Sequence, residues 1–385
     1  MKACGIIAEY NPFHTGHRHH LLEARRLSGA DVIVVALSGS FVQRGEPAIF
    51  DKFFRAKQAL RNGADIVIEM PTLGSVQAAD YFATAGVHLL EEVGCQVLAF
   101  GSEEATEETY YQALEQWKQL ELVLHKRLKE EKTFKKMSYP KQLATVLDAE
   151  FSEAKELKLL MQEPNQQLGL AYVKAVGNMN ILPIPRKQSH HHHTLIENHE
   201  FASGTALRMK IGSAKNIWQE DEVLQKLMCL PVSEVTDLQL EPCFWQDFWQ
   251  LLQFSLLRSS TDELRMIYQM NEGIEHRLQS AAKKTNSFET FMELVKTKRW
   301  TRTKIQRICL YVLLNIRAID VQQFWEKEAA YRVLGFTKKG QAYLKQLNKP
   351  HQFVTNYARI HQNQKYDDLY ELVSGKFAKK IILTE

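Results

Sequence analysis

Short apolar runs alternate with amphipathic stretches from residue 3 to residue 100. Runs at Ala3–Ala8, Asp31–Leu37, Asp65–Glu69 and Gln96–Phe100 predict strands. Helical spacing at His17–Leu27, Lys52–Asn62 and Ala78–Val93 predicts helices between them. This βαβα rhythm predicts an α/β fold: a parallel sheet with helices on both faces. Gly29-Ala30-Asp31 and Gly63-Ala64-Asp65 repeat one local solution, a helix end leading into a strand. Glu104 to Leu160 is charged and helical, which suits a solvated face. A fifth strand is predicted at Asn180–Ile184, followed by a polar loop, Pro185–Phe201, and a short helix near Ser203.

From about Gly212 the strand signals fade. Helices are predicted at Glu222–Leu230, Phe244–Leu257, Asp262–Ser280, Phe288–Lys296, Lys304–Ile316 and Gly340–Leu347. A single core rarely grows past roughly 250–300 residues, so a chain of 385 residues favours two domains. The boundary is placed near 212, giving 1–212 as an α/β domain and 213–385 as an all-α domain.

Composition changes this picture little. The chain is 45% hydrophobic and 24% charged, with a formal net charge of +4, an ordinary globular balance. The five cysteines are scattered and form no CxxC pair, which argues against a disulfide framework or structural zinc. No apolar run reaches the roughly 18 residues of a membrane span. The apolar start is broken early by Glu9, Asn11, Pro12 and His14, unlike a signal peptide. A cytoplasmic protein with no membrane and no obligate protein partner is the expectation.

The first candidate chemistry lies just after the first strand, in Glu9-Tyr10-Asn11-Pro12-Phe13-His14-Thr15-Gly16-His17. Ligands of open parallel sheets bind beyond the carboxyl ends of the strands. A helix that starts there presents free N–H groups and a positive dipole end, which favour phosphate. Gly16 lacks a Cβ and permits close approach. His14 and His17 are three apart and can face one side of the first turn. Two imidazoles aimed at one point can stabilise charge developing on an attacked α-phosphate. An ionised carboxylate nucleophile needs no general base, so position and electrostatics would suffice. Zinc on His17 and His20 is the rival reading, but no HExxH pattern is present. Neither a Walker A sequence nor GxGxxG occurs.

A second candidate is Ala202-Ser203-Gly204-Thr205-Ala206-Leu207-Arg208. Ser203 and Thr205 at a helix start can cap it and touch phosphate oxygens. Arg208, one turn on, can reach the same phosphates.

These two motifs in this order resemble the HxGH nucleotidyltransferase superfamily, whose sheet is Rossmann-like. Within it, Gly5–His14 and Ser38-Gly39-Ser40-Phe41-Val42-Gln43-Arg44-Gly45-Glu46-Pro47-Ala48 resemble the bacterial tRNA(Met) cytidine acetate ligase family. Gly63–Asp65, Tyr81–Ala83, Gly101–Glu103, Pro164-Asn165, Leu168-Gly169, Arg186, Lys298–Arg302 and Arg332–Phe336 extend the likeness over nearly the whole chain. The resemblance implies that ATP, with Mg2+ carried by the nucleotide, activates acetate as acetyl-AMP. The acetyl group then passes to N4 of the wobble cytidine of elongator tRNA(Met). It implies an ATP site made by Ile7, Ala8, Glu9, Tyr10, Asn11, Pro12, Phe13, Gly16 and His20 around the two histidines, completed by Gly101, Asn165 and Arg186. Ser40 stands where the family has Asn, and Gly204 where it has Ala. The run His190–His193 reads as a polar surface loop.

A basic stretch, Lys296, Lys298, Arg299, Arg302, Lys304 and Arg307, surrounds Trp300 with no acidic residue between them. Clustered cations suit RNA phosphates, and an aromatic among them can stack on an unpaired base. The resemblance makes this a tRNA-binding stretch of a helical domain. A small-molecule nucleotidyltransferase of cofactor synthesis is the alternative function, though a small substrate needs no such stretch. A non-catalytic RNA-binding protein is a third, though it has no use for a triphosphate clamp.

Overall fold

The computed structural model describes the chain except residues 104, 138, 187–201, 214–217, 232–240, 328–329, 350, 355–360, 376–381 and 384–385. Strands β1 (Ala3–Ala8), β2 (Val32–Ser38), β5 (Ile66–Met70), β6 (Val97–Ser102) and β7 (Asn180–Pro185) run parallel in the order β5-β2-β1-β6-β7. A small hairpin, β3 (Phe41–Val42) and β4 (Glu46–Pro47), stands off the end of β2. The five predicted strands are therefore present, with ends shifted by a residue or two.

The central strands are buried on both faces, as continuous apolar runs require. Alternate residues divide between two cores. Val32, Val34 and Ala36 pack with helices Ala79–Glu92, Glu107–Glu130 and Pro164–Ala175. Ile33, Val35 and Leu37 pack with helices Thr15–Ser28 and Lys52–Arg61 on the other side.

The later chain is helical as expected as far as Glu326. Trp245–Arg258, Phe288–Val295 and Arg302–Leu313 fall on predicted segments and share one apolar core. The expected single helix Asp262–Ser280 is instead two, Thr261–Arg265 and Ile274–Ala282. Left-handed backbone at Gln269, Glu272 and Gly273 breaks it.

Beyond the helices the chain differs from an all-α reading, because it returns to the sheet. Strand β8 (Tyr331–Phe336) pairs antiparallel with β5, while β9 (Phe353–Val354) and β10 (Ile382–Leu383) pair parallel with β8. Residues on both sides of position 212 thus build one sheet. Tyr331 and Val333 join the core under helix Ala79–Glu92, and the Tyr343 hydroxyl donates to the Val93 carbonyl (3.0 Å).

This return is fastened by a buried charge cluster. Lys52 Nζ contacts Glu69 Oε1 (2.7 Å) and Asp367 of helix His361–Ser374. Arg332 of β8 lies 3.5 Å from Asp367, and the Ser40 hydroxyl donates to Asp367 Oδ1 (2.7 Å). Removing one member of such a cluster leaves a buried charge uncompensated. Lys52→Met should therefore cost about 3–5 kcal/mol, read as a lower urea midpoint with little change in slope.

Candidate active site

The carboxyl ends of β1, β6 and β7 open into a cavity of about 440 Å³. Its lining joins the two segments singled out in the sequence. Ile7, Ala8, Glu9, Tyr10, Asn11, His14, Gly16, His17 and His20 come from β1 and the helix that follows. Gly101, Asn165, Arg186, Ser203, Thr205 and Arg208 come from four later segments. Pro12 and Phe13 do not line it. Phe13 is buried against Tyr10 (ring centroids 4.9 Å apart) and the core, so these two residues shape the turn instead.

His14 is the N-cap of helix Thr15–Ser28. Its Nδ1 accepts the Gly16 N–H at 3.1 Å. That bond occupies the amide expected to meet phosphate, and it assigns the ring proton to Nε2. Gly16 is required here, since a Cβ would lie 2.9 Å from the His14 ring. His17 stacks on His14 with centroids 3.7 Å apart, and Tyr10 packs against His17 at 4.8 Å. The His17 Nδ1 and His20 Nε2 atoms are buried without hydrogen-bond partners among the described residues. Burial, reinforced by Arg186 and Arg208, lowers the His14 pKa to about 3. Burial and the neighbouring histidines likewise depress His17, and His20 falls to about 4. The three imidazoles are therefore neutral near pH 7, and His14 presents an N–H donor rather than a cation.

Cationic charge comes from elsewhere. Arg208 Nη1 donates to the Asn11 carbonyl (2.7 Å) and Nη2 to Thr205 Oγ1 (3.2 Å). The Ser203 hydroxyl accepts the Ala206 N–H (3.1 Å), a helix-capping bond. Across the cavity, Asn165 Nδ2 donates to Glu103 Oε1 (2.7 Å), which also lies 3.5 Å from Arg186 Nη1.

Sequence reasoning assigned no role to several residues that matter here. The cavity lining also includes Phe82, Phe100, Leu168 and Tyr172. The β3–β4 hairpin adds Gln43, Arg44 and Glu46, and the Gln43 N–H donates to Glu9 Oε1 (2.8 Å). Arg55 is fully buried and donates to the carbonyls of Glu9, Ser38, Gly39 and Phe50. Its signal was an arginine on the inward face of an amphipathic helix. Ser40, the departure from the family pattern, does not line the cavity and belongs to the charge cluster. The His190–His193 run lies outside the described residues.

The basic stretch is partly as expected. Lys296, Lys298 and Arg299 are exposed. Arg299 pairs with Glu272 (2.6 Å), and Arg302 with Glu289 (2.6 Å). Arg307 is half-buried, and burial lowers its pKa. Trp300 is not a free stacking platform: it is 6% exposed, with Lys304 Nζ 4.1 Å from its ring centre.

A parallel sheet with paired histidines at the first helix N-terminus and an arginine-lined cavity defines a nucleotidyltransferase. The chain belongs to the HIGH nucleotidyl transferase family, whose sequence model matches residues 1–381. It is 39% identical over 354 residues to the tRNA(Met) cytidine acetate ligase of Latilactobacillus sakei subsp. sakei, covering 91% of this chain and 86% of that protein. The tRNA(Met) cytidine acetate ligase of Staphylococcus aureus is 36% identical over 392 residues, covering 98% and 96%. Apo Thermotoga maritima TmcAL superposes with a TM-score of 0.83 at 30% identity, covering 98% of this chain and 96% of that one. The same protein bound with alpha-thio ATP gives 0.81 at 29% identity, covering 98% and 95%.

The depressed His14 pKa predicts an NMR result. Its imidazole, identified by loss of its signal in His14→Asn, should stay neutral down to about pH 3. The unfolded chain takes up that proton near pH 6.5, so this site's contribution to stability falls as pH drops below about 6.5.

Proposed function

We propose that this protein is an ATP-dependent tRNA-modifying ligase. It joins acetate to the α-phosphate of ATP, releasing pyrophosphate, and transfers the acetyl group to N4 of the wobble cytidine of elongator tRNA(Met). The observation that carries this reading is one cavity faced by two neutral, stacked imidazoles and by Arg186 and Arg208. The names of the relatives, and the nucleotide analogue in the Thermotoga protein, support the same chemistry.

The Ile7–His20 segment, Gly101, Asn165 and Arg186 hold the nucleotide, with Ser203, Thr205 and Arg208 beside its phosphates. A carboxylate attacks the α-phosphorus, and the His14 Nε2–H donates to the oxygen on which charge grows. A neutral donor suits this step, because it strengthens its bond as charge develops without binding the ground state as tightly as a cation would. Arg186 and Arg208 balance the remaining phosphate charge. Magnesium would arrive with the nucleotide and neutralise its outer phosphates.

The chain up to 212 carries the nucleotide, and the helical segments that follow, before the return to the sheet, grip the RNA from Lys296, Lys298, Arg299, Arg302 and Lys304. The surface pairs of Arg299 and Arg302 are worth little in water, so phosphate can replace their carboxylate partners. A wobble base sits in a single-stranded loop and is cheaply turned out. A cytoplasmic setting fits this substrate, and no helix among the described residues is long and apolar enough to cross a membrane.

The test is incubation with ATP, radiolabelled acetate and total bacterial tRNA, followed by digestion to nucleosides. Label should appear in N4-acetylcytidine only with ATP; acetyl-AMP without labelled RNA would sink the acceptor assignment. His14→Ala or His17→Ala should lower acetate-dependent ATP–pyrophosphate exchange about 10²–10³-fold while tRNA binding stays near wild type. Equal loss of both would mean the histidines are structural. Lys296→Ala with Lys298→Ala should weaken tRNA binding and flatten its dependence on salt.

A further inference from the structure

Glu9 has the wrong sign for a triphosphate pocket. It sits at the end of β1, next to the histidine segment, and lines the cavity. A carboxylate there repels the phosphates of any nucleotide bound beside it, so its presence calls for a role other than gripping them. Its position is fixed from two sides. The Gln43 N–H donates to Oε1 (2.8 Å), and Arg55 donates to the Glu9 carbonyl (2.6 Å).

The acyl-transfer step has a need that phosphate chemistry does not. When the cytosine amine attacks the acetyl carbon of acetyl-AMP, a C–N bond forms and the C–O bond to phosphate breaks. AMP leaves as an anion, and one N–H proton must go to a base. His14 is a poor candidate, because its Nδ1 already accepts the Gly16 N–H and its Nε2 carries a proton. The His17 Nδ1 and His20 Nε2 atoms, without partners among the described residues, are buried out of reach of an incoming amine. Arg44, Arg186 and Arg208 are cations and accept nothing. Glu46, the other carboxylate among the described residues that line the cavity, stands on the hairpin against the helical part, where it accepts from Gln306 Nε2 (3.1 Å), whereas Glu9 adjoins the histidine segment.

Resting on the ligase reading above, we infer that the Glu9 carboxylate accepts the proton released from the acceptor amine in the transfer step. The groups facing it fit that task. Arg44 and Glu46 approach from the hairpin, Arg208 from helix Gly204–Ser213, Tyr172 from helix Pro164–Ala175 and Arg55 from helix Lys52–Arg61. Burial raises the Glu9 pKa, and Arg44 is the chief opposing influence. A carboxylate so placed is a stronger base than one in water, and it must be ionised to act, so transfer fails as pH falls through its pKa.

The experiment is single-turnover transfer from chemically prepared acetyl-AMP to elongator tRNA(Met), without ATP, across pH 4.5–9, with ATP–pyrophosphate exchange measured in parallel. Wild-type transfer should rise with pH through one ionisation and then level. Glu9→Gln should transfer about 100-fold or more slowly and lose that ionisation, while Glu9→Asp keeps the ionisation at a reduced plateau. Should Glu9→Gln fail to fold, the Glu9→Asp and wild-type profiles carry the test, and a flat profile in either overturns the inference. Wild type that transfers while Glu9→Gln keeps pace overturns this inference alone. A Glu9→Gln defect confined to ATP–pyrophosphate exchange also overturns it, making Glu9 a nucleotide or magnesium group. Wild type that transfers nothing overturns the ligase reading along with it.

Discussion

One buried arginine holds the site together. Arg55 has no exposed surface, and its guanidinium is spent on four main-chain carbonyls rather than on a carboxylate. Those carbonyls close β1 at Glu9, β2 at Ser38 and Gly39, and enter helix Lys52–Arg61 at Phe50. A buried carbonyl left without a donor costs about 1–3 kcal/mol, which is the cost these bonds offset. Three chain segments thus converge on one planar cation, and their spacing follows from its fixed fork of donors. Lysine could not substitute, because a single ammonium cannot span carbonyls lying on different strands.

The histidine pair depends on that convergence. Glu9 is anchored by its carbonyl, Tyr10 turns inward with φ of 47°, and Phe13 fills the core below. Asn11 continues the chain of supports: its side chain accepts the Ile49 N–H at 2.7 Å, and its carbonyl accepts Arg208. His14 then caps the helix with one ring nitrogen and leaves the other for a ligand. Burial at this turn and the two nearby arginines act in the same direction, and both keep the His14 imidazole neutral.

Much of this was legible in the sequence because it is local. The β1–helix unit, the His-x-Gly-His spacing and the Ser203–Arg208 cap each lie within a few residues, and the structure brings them to one cavity. What the sequence left unread is non-local. Strand β8 pairs with β5, Ile66 opposite Phe336, and no periodicity near Tyr331 signals a partner so far back in the chain. Trp300 was misread for the same reason: among cations its ring suggests a stacking surface, but Trp300 lies in the apolar core of the helices, with Lys304 over its ring. The roles of Arg55, Lys52 and Asp367 show only when three distant segments meet.

The return of the chain to the sheet gives the helical part a mechanical connection to the cavity. Hairpin β3–β4 lines the cavity with Gln43, Arg44 and Glu46, yet its outer side belongs to the later chain. Gly45 sits on the backbone of Arg307 so closely that a Cβ would lie 2.5 Å from the Arg307 nitrogen, and φ there is +75°. Trp245 Nε1 donates to the Gly45 carbonyl (2.9 Å), Gln306 to Glu46 (3.1 Å), and the Tyr370 hydroxyl to the Ala48 carbonyl (2.7 Å). Helix Arg302–Leu313 carries Arg302, Lys304 and Arg307 of the basic stretch on the same turns that hold this hairpin. A packed contact of this kind transmits displacement instead of absorbing it. Those contacts fall at Gly45 and Glu46, close in the hairpin to Gln43, whose N–H holds the carboxylate of Glu9. A two-step reaction that must keep water from a reactive intermediate until its acceptor arrives has use for such a link.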